Sequence, residues 1–273
     1  MYNVCLLELK RCLRRIEFKF VFVILLLLPV VAHLIQCAIY FGKTFSYLRP
    51  YEEMTFIVGN YVSHIFSIFI ILTPLLSSFI YSDNYFIDRK KGILTLLVTR
   101  TKRQYVLIAK AFTVTFVTFF SFFVVLCINF LLTYITFPEK GGDNMYALPA
   151  YDTGLQGYNS LYAFDLLSLN HPFGYSLIYA FLVSLFAGMV ALLSFSIMTL
   201  TTKNRYLTVI GLFVGLIVID LLFSFLGFFN YGWTSVFFSN SLVPEWAPFA
   251  WIIGLFAFSV LLLIRAKKSD VMN

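Results

Sequence analysis

The sequence predicts an all-α membrane protein with six transmembrane helices and both termini cytoplasmic, on three observations. Six apolar stretches, residues 20–41, 56–81, 105–137, 175–200, 206–229 and 247–264, are strung along 273 residues. Each has roughly the ~20 residues that a helix needs to cross a hydrocarbon core about 30 Å thick. The chain is 60% hydrophobic and 12% charged, against about a quarter charged in soluble domains. A soluble fold of this length could not cover six such runs with polar surface. The charge is also sorted: segments 1–19, 82–104, 201–205 and 265–273, with Lys110 counted as snorkelling from a span end, hold 17 of the 20 Lys and Arg. The intervening segments hold only Lys43, Arg49 and Lys140. Such asymmetry places the basic segments inside. The net charge of +7 then belongs to topology and anionic headgroups rather than to nucleic acid.

Segment 1–19 opens the single transmembrane domain, 1–273, with an amphipathic interfacial helix. Leu6, Leu9, Leu13, Ile16 and Phe20 recur at three- and four-residue steps, so they share one face. Lys10, Arg11, Arg14, Arg15 and Lys19 fill much of the remainder. The pattern predicts an apolar face in lipid and a basic face, Arg11, Arg14 and Arg15 included, towards headgroups; a docked cytoplasmic partner is the alternative. No small-residue cleavage site ends the first apolar run, so the span is expected to be retained.

The loop 82–104 contains the apolar cluster Ile93, Leu94, Leu96, Leu97 and Val98 between charges. It is too short to span, and apolar surface on such a loop must meet lipid or protein, so a short amphipathic element is expected. Segment 138–174 is the longest loop, broken by Gly141, Gly142, Pro149, Gly154 and Gly157 and studded with tyrosines. Either the aromatics form a belt at the outer interface or the loop lids a path. Residues 230–246 join the last two spans, and Pro248 falls in the first turn of the sixth, where its missing N–H costs little.

The order of features in 82–104 resembles that of the ABC-2-type transporter permeases. The places that the family fills with an acid, a glycine, an apolar run, a break, then an aromatic and a lysine are held here by Asp88, Gly92, Leu94–Val98, Thr99-Arg100, Tyr105 and Lys110. The chain departs from the family at Thr99–Lys102, where a proline is common. The resemblance extends to the interfacial helix and the six-span layout. It implies that 82–104 carries a cytoplasmic coupling helix, with Asp88, Gly92, Ile93, Leu94, Leu96, Leu97, Arg100 and Tyr105 as contacts to a cytoplasmic ABC ATPase. It also implies a second permease copy or a paralogue beside this one, and a hydrophobic or amphipathic cargo such as a peptide, lipid or drug.

Polar residues within spans are candidates for a substrate path or gate. Asp220 lies in the middle of the predicted fifth span, with an insertion cost of about 2.5–3.5 kcal/mol. The surrounding Leu, Ile, Phe and Val offset it by ~5–10 kcal/mol, so Asp220 inserts with or without a function. A structural hydrogen bond and a gating role both fit. His33 and Gln36 share a helical face, and Asn129 lies in the third span. No H-E-x-x-H or G-x-S-x-G pattern and no metal-ligand spacing occurs, so no catalytic or metal site is expected. No G-x-x-x-x-G-K-[ST] occurs either. Any ATP and Mg would therefore sit on a separate ATPase chain, leaving this one without a cofactor. The sequence thus supports a permease subunit in a bacterial plasma membrane. A non-transporting membrane sensor or assembly protein holding a cytoplasmic partner is the second class, and an intramembrane enzyme using His33 or Asp220 the third.

Overall fold

A computed structural model describes residues 2–43, 48–94, 103–139, 158–201, 204–239 and 241–269. Among them every regular element is helical. The helices are α1 (Tyr2–Arg14), α2 (Ile16–Tyr40), α3 (Ser63–Ile80), α4 (Asn84–Lys90), α5 (Arg103–Thr136), α6 (Asp165–Asn170), α7 (Pro172–Leu200), α8 (Arg205–Phe225), α9 (Trp233–Val236) and α10 (Ala247–Ser269). Six of these, α2, α3, α5, α7, α8 and α10, are long and apolar enough to cross a membrane. The chain is a multi-pass membrane protein by that measure.

The fourth span is the centre of the bundle. In α7, 72% of the most apolar window is buried, against 11% in α8 and 28% in α10. Small residues explain its position: Ala180, Ser184, Ala187, Gly188, Ala191 and Ser194 let neighbouring backbones approach. A Cβ on Gly188 would meet the Thr115 carbonyl of α5 at 3.3 Å. Around α7 stand α5, α10 and α3, with α2 against α3 and α5.

The connections collect at two ends. Arg15, Asp83 and Arg205 meet at one, which is called the basic end below. At the opposite end the Tyr51 N–H donates to Pro138 O at 3.0 Å, and the Ser239 hydroxyl donates to Ile57 O.

The second span differs from the expected range of 56–81. The helix starts at Ser63, and residues 55–59 are irregular yet mostly buried among the other spans. Irregular backbone tolerates that depth only where side chains satisfy its polar groups. Asn129 Oδ1 accepts from Phe56 N–H at 2.8 Å, and Thr55 Oγ1 lies 3.0 Å from Ser176 Oγ. The Phe56 ring is fully buried, edge-on to Phe66 and Phe69.

Candidate functional site

The densest cluster of buried charge lies at the basic end, where α1 crosses the bundle. Glu8, Arg11, Cys12 and Arg15 recur at three- and four-residue steps and form the face that α1 turns inward. Lys110, in the second turn of α5, is fully buried and lies 2.5 Å from Asp88 and 3.0 Å from Glu8. Glu8 Oε2 accepts from Tyr81 Oη at 2.7 Å and from Asn84 Nδ2 at 2.6 Å. Arg11 Nη1 reaches Asp88 at 3.3 Å. Two carboxylates thus face two cations. The group joins α1, α4 and α5 through charges that water cannot screen.

A second knot sits beside it. Asp83 accepts from Arg15 at 2.7 Å and from Arg205 at 2.7 Å, tying the α1–α2 junction, the loop after the second span and the start of the fifth. Burial opposes the charge on Arg15; the hydrogen bond and charge of Asp83 outweigh it and raise the pKa. Four elements are therefore clamped at this end by opposite charge, in place of the headgroup-facing basic side expected of α1.

Cys12 sits under this roof. Burial, the largest cause, pushes its thiol up to about 12, with nearby Arg15 pulling the other way. Only the thiolate attacks electrophiles. At neutral pH a maleimide is expected to label Cys12 at least ~100-fold more slowly in the folded chain than after unfolding in SDS. Tryptic mapping of the modified peptide over a time course measures this; equal rates in the two states would place α1 away from the bundle.

The expected site residues fall into three groups. Asp88 is buried, and its carboxylate is held by Lys110 and Arg11. Gly92, at φ +70°, ends the turn after α4, where a side chain would be strained. Ile93 and Leu94 are half-buried, Leu94 against the core, and Tyr105 is about half exposed. Leu96, Leu97 and Arg100 lie outside the described residues.

On the N-terminal helix and just after it, Leu6, Leu13 and Ile16 are exposed, Leu9 packs on the core and Arg14 is exposed. Arg11 and Arg15 correct the expectation of a headgroup-facing basic side, because the buried Asp88 and the partly buried Asp83 draw them inward. Lys110 corrects another: it does not snorkel, since Glu8 and Asp88 neutralise it in place. Sequence reading missed Glu8, Asp83, Tyr81, Asn84 and Arg205. The available signal was acids standing alone inside strongly basic segments.

The intramembrane candidates do not converge on one site. Asn129 is a clamp: its Oδ1 takes the Phe56 N–H, and its Nδ2 donates to Pro29 O at 3.2 Å, linking α5, α2 and the irregular segment. Gln36 is fully buried against Gly59, its amide without a hydrogen-bond partner among the described residues. His33 lies one turn below it, with Nε2 at 3.4 Å from Cys37 Sγ and 3.5 Å from Thr136 Oγ1.

Asp220 sits five residues before α8 ends, rather than at the centre of its span, because the helix stops at Phe225. Its carboxylate accepts from Thr234 Oγ1 at 2.6 Å and from Thr234 N–H at 3.3 Å, at the start of α9. Gly232 leaves no room for a side chain beside it. Asp220→Leu is expected to destabilise the fold by about 1 kcal/mol, because it leaves the partly buried Thr234 donors unpaired, while Asp220→Asn keeps most of the stability. Thermal unfolding in detergent compares them; equal midpoints for Leu and wild type would remove the structural role.

An apolar groove of about 680 Å³ lies between α8 and α10 against Leu193 of α7. Leu216, Ile219 and Phe223 form one wall, and Trp251, Leu255 and Phe258 the other. Among the described residues, no group of three or more His, Cys, Asp or Glu could hold a metal ion. No protein-family model, no curated protein and no solved structure matches the chain.

Proposed function

We propose that the chain is the membrane-spanning permease subunit of an ABC exporter, driven by ATP that a separate cytoplasmic ATPase hydrolyses. The observation that carries this reading is the buried charge joint at the basic end. Asp88 fastens the segment after the second span to Lys110 of the third, and Glu8 fastens both to α1. A push on the loop from the cytoplasm would reach two spans and the interfacial helix as one body. The apolar surface that the sequence places at Leu94–Val98 is then the contact for the ATPase, as the resemblance to ABC-2-type permeases implies.

In this reading the basic end faces the cytoplasm of a bacterial cell, as the positive-inside rule requires, and ATP and Mg stay on the partner. The sparsely buried α8 and α10 leave surface for lipid or for a second permease copy. A groove with aromatic and aliphatic walls suits a hydrophobic or amphipathic cargo such as a lipid, drug or peptide, in preference to a sugar or ion.

The test is affinity purification of the full chain from native membranes in mild detergent, with mass spectrometry of what co-elutes. A stoichiometric ATPase with a phosphate-binding loop is expected, and Leu96→Glu is expected to lose it while still inserting. Recovery without an ATPase would favour the sensor or assembly reading. An ATPase retained by Leu96→Glu would remove the coupling role of 82–104.

A further inference from the structure

A pocket of about 900 Å³ opens at the basic end, between α1, the start of α2, α4 and the start of α8. Five cations line it: Arg11, Arg15, Lys90, Lys91 and Arg205. Its carboxylates are Glu17 and Asp88, with Asp83 against the two arginines it holds. Every one of these acids is already taken up by an arginine or by Lys110. Lys90 and Lys91, by contrast, are exposed and have no carboxylate partner among the described residues. The pocket is therefore net positive, and its two free charges stand at its rim.

A smaller crevice of about 140 Å³ adjoins it. Glu17, Arg205 and Tyr206 line both spaces. From there the crevice runs down between Ser78 and Phe79 of α3, Met198 of α7 and Val209 of α8. These residues lie one to four positions inside the ends of their helices, about 1.5–6 Å below them at 1.5 Å per residue. A basic vestibule thus continues into a slot whose apolar side is Phe79, Met198 and Val209 and whose polar side includes Glu17, Asp83 and Arg205, at the depth where acyl chains begin. Leu13, Ile16 and Phe20, exposed beside it, set the same level for the bilayer.

We propose that the pocket and the crevice together hold one anionic phospholipid from the leaflet at the basic end. Lys90 and Lys91 neutralise its phosphate, the unused N–H groups of Arg11 add hydrogen bonds, and one acyl chain enters beside Val209. A basic pocket between spans recognises such headgroups by charge. A free phosphate would leave the apolar slot empty, and an acidic peptide would gain nothing from it. The occupant draws on the chain's membrane-spanning character and is independent of transport. Only the identity of the leaflet rests on the orientation proposed above.

The test uses the full chain in phosphatidylcholine nanodiscs doped with phosphatidylglycerol, with native mass spectrometry counting retained lipid. Wild type is expected to retain phosphatidylglycerol over phosphatidylcholine, and Lys90→Gln with Lys91→Gln is expected to cut that preference on the order of tenfold. Val209→Trp, which fills the slot, is expected to weaken retention while leaving the lysines in place. Equal retention of the two lipids by wild type, or an unchanged preference in the double lysine variant, overturns the proposal. Displacement of the lipid by soluble glycerol 3-phosphate overturns it in favour of a plain phosphate site. The assay contains no ATPase and a symmetric bilayer, so its failure is separate from failure of the transporter reading.

Discussion

Lys110→Met is expected to destabilise the folded chain by about 3–5 kcal/mol, because it leaves two buried carboxylates facing each other with one cation between them. Glu8 and Asp88 are 1% and 4% exposed at the side chain, and the remaining Arg11 is 38% exposed and more distant. Combining Lys110→Met with Glu8→Gln and Asp88→Asn is expected to recover most of the loss, since uncharged groups of the same shape carry little desolvation penalty. Unfolding in mixed detergent and SDS, followed by circular dichroism, measures both. A Lys110→Met midpoint within error of wild type would show that the cluster does not hold α1 to the bundle.

The same triple variant separates structure from coupling. Under the transporter reading proposed above, it is expected to fold and to bind the ATPase, yet to transport poorly at a near-normal rate of ATP hydrolysis. The geometric reason is that a methionine at 110 donates no hydrogen bond, so the charged joint of 2.5 Å between the second and third spans is gone while the packing around it remains. Transport equal to wild type in that variant would remove the joint from the mechanism while leaving the fold intact.

Asn129→Leu is the second large effect. The side chain is fully buried seven residues from the end of α5, about 10 Å inside the helix terminus at 1.5 Å per residue. Leucine takes the amide's place with no polar atom, so Phe56 N–H loses its acceptor where no water reaches it. Each orphaned buried group costs about 1–3 kcal/mol. The irregular segment 55–59 is expected to detach first, read as faster hydrogen exchange at Phe56 through Val58 before any change in the spans. Unaltered exchange there would mean that the segment is held by Phe56 packing alone. Asn129→Asp, which keeps the acceptor, is expected to protect Phe56 N–H while losing the bond to Pro29 O.

The number and positions of the spans were legible in the sequence because each is a long apolar run, and length with apolarity is the physical requirement for crossing. The interfacial helix was legible as a helix, with Leu6, Leu13 and Ile16 exposed as the pattern suggested. Its basic side was not. The spacing of Arg11 and Arg15 says which face they share, but their partners, Asp88 and Asp83, lie 77 and 68 residues away. Lys110 illustrates the same limit: a lysine near a span end reads as snorkelling until two carboxylates are brought to it.

The second span shows where periodicity misleads. Residues 56–62 continue the apolar run of 63–80, yet they form no continuous α-helix, since Asn129, Ser239 and Ser176 satisfy the segment instead. Asp220 likewise reads as mid-span only while the helix is assumed to reach Phe229.

Hydrophobic length and the sorting of charge, both properties of the chain taken in order, determined that this is a six-span helical membrane protein. Only the tertiary structure decided which polar groups are consumed in holding it together and which stay free. Glu8, Asp88, Lys110, Asp83, Arg15 and Arg205 are consumed; Lys90 and Lys91 have no carboxylate partner among the described residues. The reason is that transfer into lipid is additive over a local stretch of residues, whereas the energy of a buried charge depends on partners that only folding brings within 3 Å.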